Sequence, residues 1–317
     1  MKAAVVEAFD VPPRYRDFDE PHALGDEVIV DVHAAALSQL VRAQAAGKHY
    51  TSGEPPFVPG ADGVGRLANG ERVYFAFPRG PVGAMAERVA VKSAHTVALP
   101  DDVDDITAAA IANPAMSSWA ALSERVLFKS GESILINGAN GVSGRLAIQI
   151  AKHLGAKRVI ATARNSASEA ELIALGADVF ISLSQSSALL ADQFRQEIAR
   201  GVDVVLDYVW GPAAEAFFLA AAGYGSGDAA RRIRFVNIGS LGGASIAFSA
   251  STLRSSGIEI VGSGLGSLST LALVRSVGSL MQVVNSLKLR INTESVALEH
   301  VEAMWSRDSG ARIVFKI

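Results

Sequence analysis

The sequence contains no cysteine among its 317 residues. Disulfides, thiol nucleophiles and thiolate metal sites are therefore excluded, and the absence fits a cytoplasmic protein. It has no excess of either charge: 29 Lys and Arg stand against 32 Asp and Glu, a formal net charge of −3. A nucleic-acid partner requires a basic face to neutralise phosphates. The one basic cluster, Arg231, Arg232 and Arg234, precedes an apolar run and reads as a solvated loop. Long apolar runs are missing as well. "MKAAVVEAF" meets Glu7 too early for a secretory signal. "LALVRSVGSLMQVV" carries Arg275 and a helical period, so it is expected to be a helix outside any membrane.

What is present is a globular composition, half hydrophobic and 19% charged. The length suggests about two domains, and the pattern changes character near residue 113. Before it, short alternating segments such as Val28, Val30 and Val32 are separated by turn-rich stretches such as "GEPPFVPGADG". This half reads as mostly β, a small barrel. After it come short apolar runs suited to buried parallel strands: "SILIN", "RVIATA", "DVFIS", "DVVLD", "RFVNIG" and "IEIVG". Leu146, Ile150 and Leu154 recur at helical spacing, with Gly155 placed to end the helix. Six strands with helical crossovers define an α/β chain with a doubly wound parallel sheet. The tail "GARIVFKI" reads as one more strand. The expected division is a β domain over 1–113, a nucleotide-binding domain over 114–287, and a segment 288–317 returning to the first.

Directly after the first parallel strand comes "NGANGVSGRL". Gly138, Gly141 and Gly144, with Val142 and Ser143, fall where a strand–turn–helix junction holds a dinucleotide pyrophosphate on unpaired N–H groups. Gly141 is assigned the tight turn and close backbone approach, and Gly144 the close packing of helix on strand. An NAD site expects an acid about 20 residues further on, at the end of the second strand. That position holds Arg164, followed by Asn165, Ser166 and Ser168. An arginine suits a 2′-phosphate better than a bare ribose hydroxyl, so the expected cofactor is NADPH. Asp207, with "DYVWG", and Gly239-Ser240 lie at the carboxyl ends of later strands, where an open sheet binds ligands.

The stretch "GESILINGANGVSGRLAIQIAKHLGAKRVIATAR…LGAD" resembles the nucleotide-binding segment of medium-chain dehydrogenases/reductases, on the zinc-less quinone oxidoreductase branch. The resemblance runs along nearly the whole chain, through "MKAAVV", "PFVPGADGVG", "GERV", "GAMAERVAV", "NPAMSSWAAL" and "GARIVFKI". It implies a Rossmann sheet plus a GroES-like β-barrel domain, with the nicotinamide in a cleft between them. It further implies a homodimer paired through "IEIVGSG", an apolar edge strand. Ser117 resembles the family threonine at the nicotinamide end, and Asn113 stands to hold the cleft backbone. Zinc-dependent relatives carry G-H-E where this chain has Gly60-Ala61-Asp62, and Ser38 stands for the usual ligand cysteine. The six histidines show no ligand spacing, so no metal is expected. Ser168 replaces a lysine frequent in NADPH-using relatives.

Without a Lewis acid, an alcohol is a poor substrate, whereas an electron-poor acceptor takes hydride directly. The expected function is an NADPH-dependent, zinc-independent reduction of a quinone or α,β-unsaturated carbonyl. An enoyl-thioester reductase and an NADPH-binding protein without turnover are the alternatives. "AGKHYTSG" resembles the family segment lining the substrate cleft, which makes Tyr50, or His49 beside it, the expected proton donor. Trp210 is assigned either to the cofactor or to the core.

Overall fold

The computed structural model describes residues 1–222, 231–307 and 310–317. The chain forms two compact units, Met1–Met116 with Thr270–Ile317, and Ser117–Ser269.

The second unit is built on a six-stranded, all-parallel sheet. Its strands are β1 (Ser133–Asn137), β2 (Arg158–Ala163), β3 (Val179–Ser182), β4 (Val204–Asp207), β5 (Arg232–Asn237) and β6 (Gly257–Gly262). They lie in the order β3-β2-β1-β4-β5-β6, so the chain reverses direction between β1 and β4. That reversal opens a crevice at the carboxyl ends of these two strands, where doubly wound sheets take ligands. Every residue of β1 and β4 is buried, which is why their sequences are continuously apolar rather than alternating. The crossover helices are α1 (Val142–His153), α2 (Glu169–Ala174), α3 (Ser187–Gly201) and α4 (Gly211–Ala221). Leu146 and Ile150 of α1 are buried, and Gly155 adopts φ +83° just beyond its end. Leu135, Ile160, Val205, Phe194, Phe217 and Phe235 pack into one core beneath α3 and α4.

The first unit holds a seven-stranded, mainly antiparallel sheet centred on Glu27–Ala36. Asp62–Leu67 and Arg88–Lys92 flank that strand, and Arg312–Lys316 pairs it antiparallel at Val314 and Ala36. Val30, Val32, Phe75, Val89 and Phe315 fill its core.

Two expectations require correction. Helix Thr270–Leu287 belongs to the first unit, not to a domain ending at residue 287. A β-carbon on Gly278 would meet Val97 Cγ1 at 3.4 Å, and Asn285 Nδ2 donates to the Asp102 carbonyl at 3.1 Å. An apolar helical stripe specifies burial but not which sheet it covers. The fifth strand begins at Arg232, so Arg232 and Arg234 lie in a strand rather than a loop, with Arg231 just before it. Arg232 forks onto Glu259 at 2.7 and 2.8 Å, Arg231 lies 3.5 Å from Asp203, and buried Arg234 pairs with Glu132. Ser38, the residue in place of the ligand cysteine, is a helix cap, its Oγ accepting from Val41 N–H at 3.0 Å.

Candidate functional site

The glycine loop joins β1 to α1. Gly138 has φ +85°, and a β-carbon there would lie 2.5 Å from Val209 Cγ2. The left-handed turn therefore sits at Gly138 rather than at Gly141. Gly144 is packed so that a β-carbon would lie 2.6 Å from both Ala139 Cα and the Gly138 carbonyl oxygen. It brings the helix down onto the loop itself, one residue past the strand. Gly141 differs from both. Its φ is an ordinary −71°, and the nearest atom to a β-carbon there is the Gly138 oxygen at 3.8 Å. Neither its backbone angle nor its packing requires glycine at this place, which leaves room for an outside group to approach the backbone. Gly141 caps α1 without any side-chain hydrogen bond to the helix N–H groups. Its own N–H reaches the Gly138 carbonyl at 3.4 Å, so the donors and the positive helix end offered to an anion are those of Val142, Ser143 and Gly144. The residues fit a dinucleotide pyrophosphate.

Arg145 holds this loop, and sequence reasoning missed it. Its Nε donates to the Asn140 carbonyl at 2.9 Å and its Nη2 to Asn140 Oδ1 at 2.7 Å, while Nη1 pairs with Glu171 at the start of α2. The signal was an arginine in the first turn of a helix, where the dipole disfavours a cation unless a local partner holds it.

Behind the loop, a line of hydrogen bonds crosses four strands. Gly138 N–H donates to Thr162 Oγ1 at 3.2 Å, whose hydroxyl donates to Asn137 Oδ1 at 2.7 Å. Asn137 Nδ2 donates to Asp207 Oδ1 at 2.7 Å. Asp207 also accepts from Val209 N–H at 3.1 Å, from Trp210 N–H at 3.0 Å and from Asn237 Nδ2 at 3.5 Å. Asp207 is wholly inaccessible, and burial pushes its carboxyl above the usual carboxylate range. This corrects its reading as a cofactor contact: its oxygens are occupied by protein donors. Trp210, held by Asp207, adopts φ +59° and, half-buried, packs edge-on against Phe218 and Phe235 at the margin of the core.

Arg164 directly follows β2 and is exposed, and no ion pair is formed by it among the described residues. Ser166 is exposed beside it, but Ser168 is turned inward, its hydroxyl donating to the Asn165 carbonyl at 2.6 Å. A solvent-facing cationic site therefore rests on Arg164 alone. Gly239 sits against the chain after β4, where a β-carbon would meet the Tyr208 carbonyl oxygen at 2.7 Å. Ser240 beyond it is exposed. Ser117 is half-exposed, with Oγ 3.3 Å from the Tyr208 hydroxyl. Sequence reasoning quoted Tyr208 within "DYVWG" but gave it no role.

In the first unit, His49 and Tyr50 follow helix Gln39–Ala45. Their rings lie 4.2 Å apart, centroid to centroid, and Tyr50 is 77% exposed. His49 Nδ1 accepts from Thr51 N–H at 3.2 Å and lies 2.7 Å from Thr51 Oγ1. Since Gln44 Nε2 donates to that same hydroxyl at 2.8 Å, the hydroxyl proton points to Nδ1, and the neutral ring carries its own proton on Nε2. Partial desolvation lowers the His49 pKa and favours this neutral form. Asn113 Nδ2 donates to buried Asp62 at 3.2 Å. Among the described residues, no three His, Cys, Asp or Glu side chains gather as metal ligands, and no helix is long and apolar enough to cross a membrane.

Comparison with known proteins places this arrangement. The family model described as zinc-binding dehydrogenase matches residues 143–279, a segment that lies outside the Gly60-Ala61-Asp62 and Ser38 positions. The chain is 29% identical to a probable NADPH-dependent quinone reductase of Emericella nidulans, over 99% of both. It is 33% identical to the chloroplastic NADPH-dependent alkenal/one oxidoreductase of Arabidopsis thaliana, over 60% of this chain and 51% of that protein. Among solved structures, the quinone oxidoreductase of Thermus thermophilus, also determined with NADPH, superposes with a TM-score of 0.79 at 26% identity over the whole of both chains. The fold is thus a Rossmann sheet with a GroES-like antiparallel sheet. The chain is related in sequence and fold to the quinone oxidoreductases, and in this it resembles the medium-chain dehydrogenase/reductase superfamily.

Proposed function

We propose that the chain is an NADPH-dependent reductase that delivers hydride to a quinone or an α,β-unsaturated carbonyl without a metal ion. NADPH, when bound, supplies the hydride from C4 of its nicotinamide. The observation that carries the reading is Gly141: a glycine required neither by φ nor by packing, at the start of α1 where no side chain caps the helix N–H groups. Exposed Arg164 at the end of β2, where no acid stands, supports the phosphorylated cofactor over NADH. The E. nidulans and A. thaliana relatives, whose names give an NADPH-dependent quinone reductase and an alkenal/one oxidoreductase, support the acceptor class.

On this reading, Gly138, Gly141, Val142, Ser143 and Gly144 hold the pyrophosphate, with Arg164 at the 2′-phosphate. Ser117, Gly239 and Ser240 line the far end of the cofactor. His49 or Tyr50 gives a proton to the acceptor oxygen, Tyr50 from its neutral phenol and His49 from its imidazolium form, since the neutral ring's Nε2–H can hydrogen-bond that oxygen but is too weak an acid to protonate it. The protein acts in the cytoplasm as a homodimer. The edge strand β6, with Ile260 38% exposed and pairing only with β5 among the described strands, supports the dimer. Steady-state reduction of a quinone and enone panel with NADPH and with NADH tests the function, and light scattering at micromolar concentration tests the dimer. Cofactor binding without turnover of any acceptor would instead favour a binding protein.

A further inference from the structure

Two acids, Glu169 and Glu171, open α2 just beyond Arg164, and both are exposed. The helix itself favours acids in its first turn. Glu171 is also tied to the glycine loop. Its carboxylate pairs with Arg145 Nη1, while Nε and Nη2 of the same guanidinium hold the Asn140 carbonyl at 2.9 Å and Asn140 Oδ1 at 2.7 Å. The loop in turn rests on the end of β2, where Ala139 N–H donates to the Thr162 carbonyl at 2.8 Å and Gly138 N–H to the Thr162 hydroxyl at 3.2 Å. Asn140, Arg145 and Glu171 thus stand beside the end of β2, which Arg164 directly follows. In a strand–turn–helix site of this kind, that end of the second strand faces the adenosine ribose.

A carboxylate near that ribose selects against a 2′-phosphate, because it repels the phosphate dianion and accepts from a free hydroxyl instead. Glu171 would do this if it were left unpaired. Arg145 stands in the first turn of α1, where the helix dipole disfavours a cation, and its bonds to Asn140 and Glu171 keep it there. We infer that Arg145 is a positioning residue that sets cofactor choice through Glu171: it cancels the carboxylate charge beside the ribose, so that a 2′-phosphate meets Arg164 without an opposing acid on α2 at that edge of the loop. Arg145 touches no cofactor atom in this role. The inference rests on the proposed cofactor site.

Dissociation constants for NADPH and NADH are measured by fluorescence titration on the wild type, Arg145→Ala, Glu171→Gln and the double variant, and the ratio of the two affinities is compared. A loosened loop weakens both cofactors alike and cancels in this ratio. Arg145→Ala leaves the Glu171 charge bare and should lower the preference for NADPH by roughly three- to tenfold, the effect of one unit charge on a nearby phosphate dianion in water. Glu171→Gln leaves the guanidinium uncompensated and should raise the preference by a similar factor. The double variant carries neither charge, so its ratio should return to within about twofold of the wild type. Arg145→Lys keeps the charge without the fork on Asn140 and should also hold the ratio. Both single-variant effects should shrink in about 1 M salt, as screening requires. The inference is overturned if Arg145→Ala leaves the ratio unchanged, or if the double variant stays as low as Arg145→Ala, since the arginine would then act by contact and not through Glu171. If the wild-type protein itself fails to bind NADPH, the cofactor reading falls and this inference with it.

Discussion

Val209 Cγ2 stands 2.5 Å from the point where a β-carbon of Gly138 would be. The loop after β4 thus presses on the loop after β1, and Asp207 holds that pressure in place through the N–H groups of Val209 and Trp210. The switch point of the sheet is a braced pair of loops rather than a single glycine-rich turn.

Replacing each glycine separates bracing from ligand contact. Gly144→Ala forces a β-carbon against Ala139 and the Gly138 carbonyl. It should lower both the melting temperature and NADPH affinity. Gly141→Ala meets no protein atom nearer than 3.8 Å, so its melting temperature should fall only by the modest loss of a glycine N-cap, less than that of Gly144→Ala. Its NADPH affinity should nonetheless fall by at least about tenfold, since the methyl occupies the approach to the helix N-terminus. Calorimetry of both variants with and without NADPH reads the difference.

Arg164→Asp should invert cofactor choice. A charge-assisted hydrogen bond contributes roughly 1.5–3 kcal/mol, or about 10- to 100-fold in favour of NADPH. Comparable dissociation constants for NADPH and NADH in the wild type would remove the role assigned to Arg164.

Asp207→Asn should destabilise the chain by about 1–3 kcal/mol, because an amide NH2 is set against donors that need an acceptor. NADPH affinity should fall with it, through the Asn137–Thr162–Gly138 line. Chemical denaturation and cofactor titration on the same variant check both.

Buried Asp62 gives a pH signature in the first unit. Desolvation raises its pKa to about 6, against 3.8 for an ordinary aspartate, with Arg312, Tyr74 and Asn113 opposing the rise. The folded state therefore holds the proton more tightly than the unfolded chain. The stability this group contributes is fully present below about pH 4 and is lost as pH rises through about 6. Relative to Asp62→Asn, the wild type should lose at most about 3 kcal/mol across that window and nothing further above it. Denaturation midpoints for the pair at several pH values measure this.

The parallel strands were legible because buried strands are spelled as short apolar runs, and β1 and β2 match "SILIN" and "RVIATA" residue for residue. The glycine loop was legible for the same local reason: strand, turn and helix are contiguous. What escaped depends on partners distant in sequence. Asp207 looked like a ligand contact because its position at a strand end is correct, but its protein donors come from β1, β5 and the loop that follows it. Tyr208 and Arg145 carried no motif. Their roles appear only once Ser117, 91 residues away, and Glu171, 26 residues away, are brought beside them. The helix Thr270–Leu287 was read correctly as a helix, but its unit is decided by the Val97 and Asp102 surfaces it covers.

The proton step predicts acceptor-dependent losses. A quinone is already electrophilic, so His49→Ala and Tyr50→Phe should each leave its reduction within about tenfold. An enone generates a more basic oxygen, and His49→Ala should cost it more, toward the roughly 10²–10⁴ of general-acid catalysis. Equal losses for both acceptors would assign these side chains to binding alone.

The central claim is hydride transfer from the nicotinamide to carbon without a metal. NADPH deuterated at C4 on the transferred face is incubated with the protein, an enone and excess chelator, and the product is examined by mass spectrometry and NMR. The expected product carries deuterium at the β-carbon and hydrogen from solvent at the α-carbon, at a rate unaffected by the chelator. A product without cofactor-derived deuterium, or a reaction that stops on chelation and returns with zinc, would contradict it.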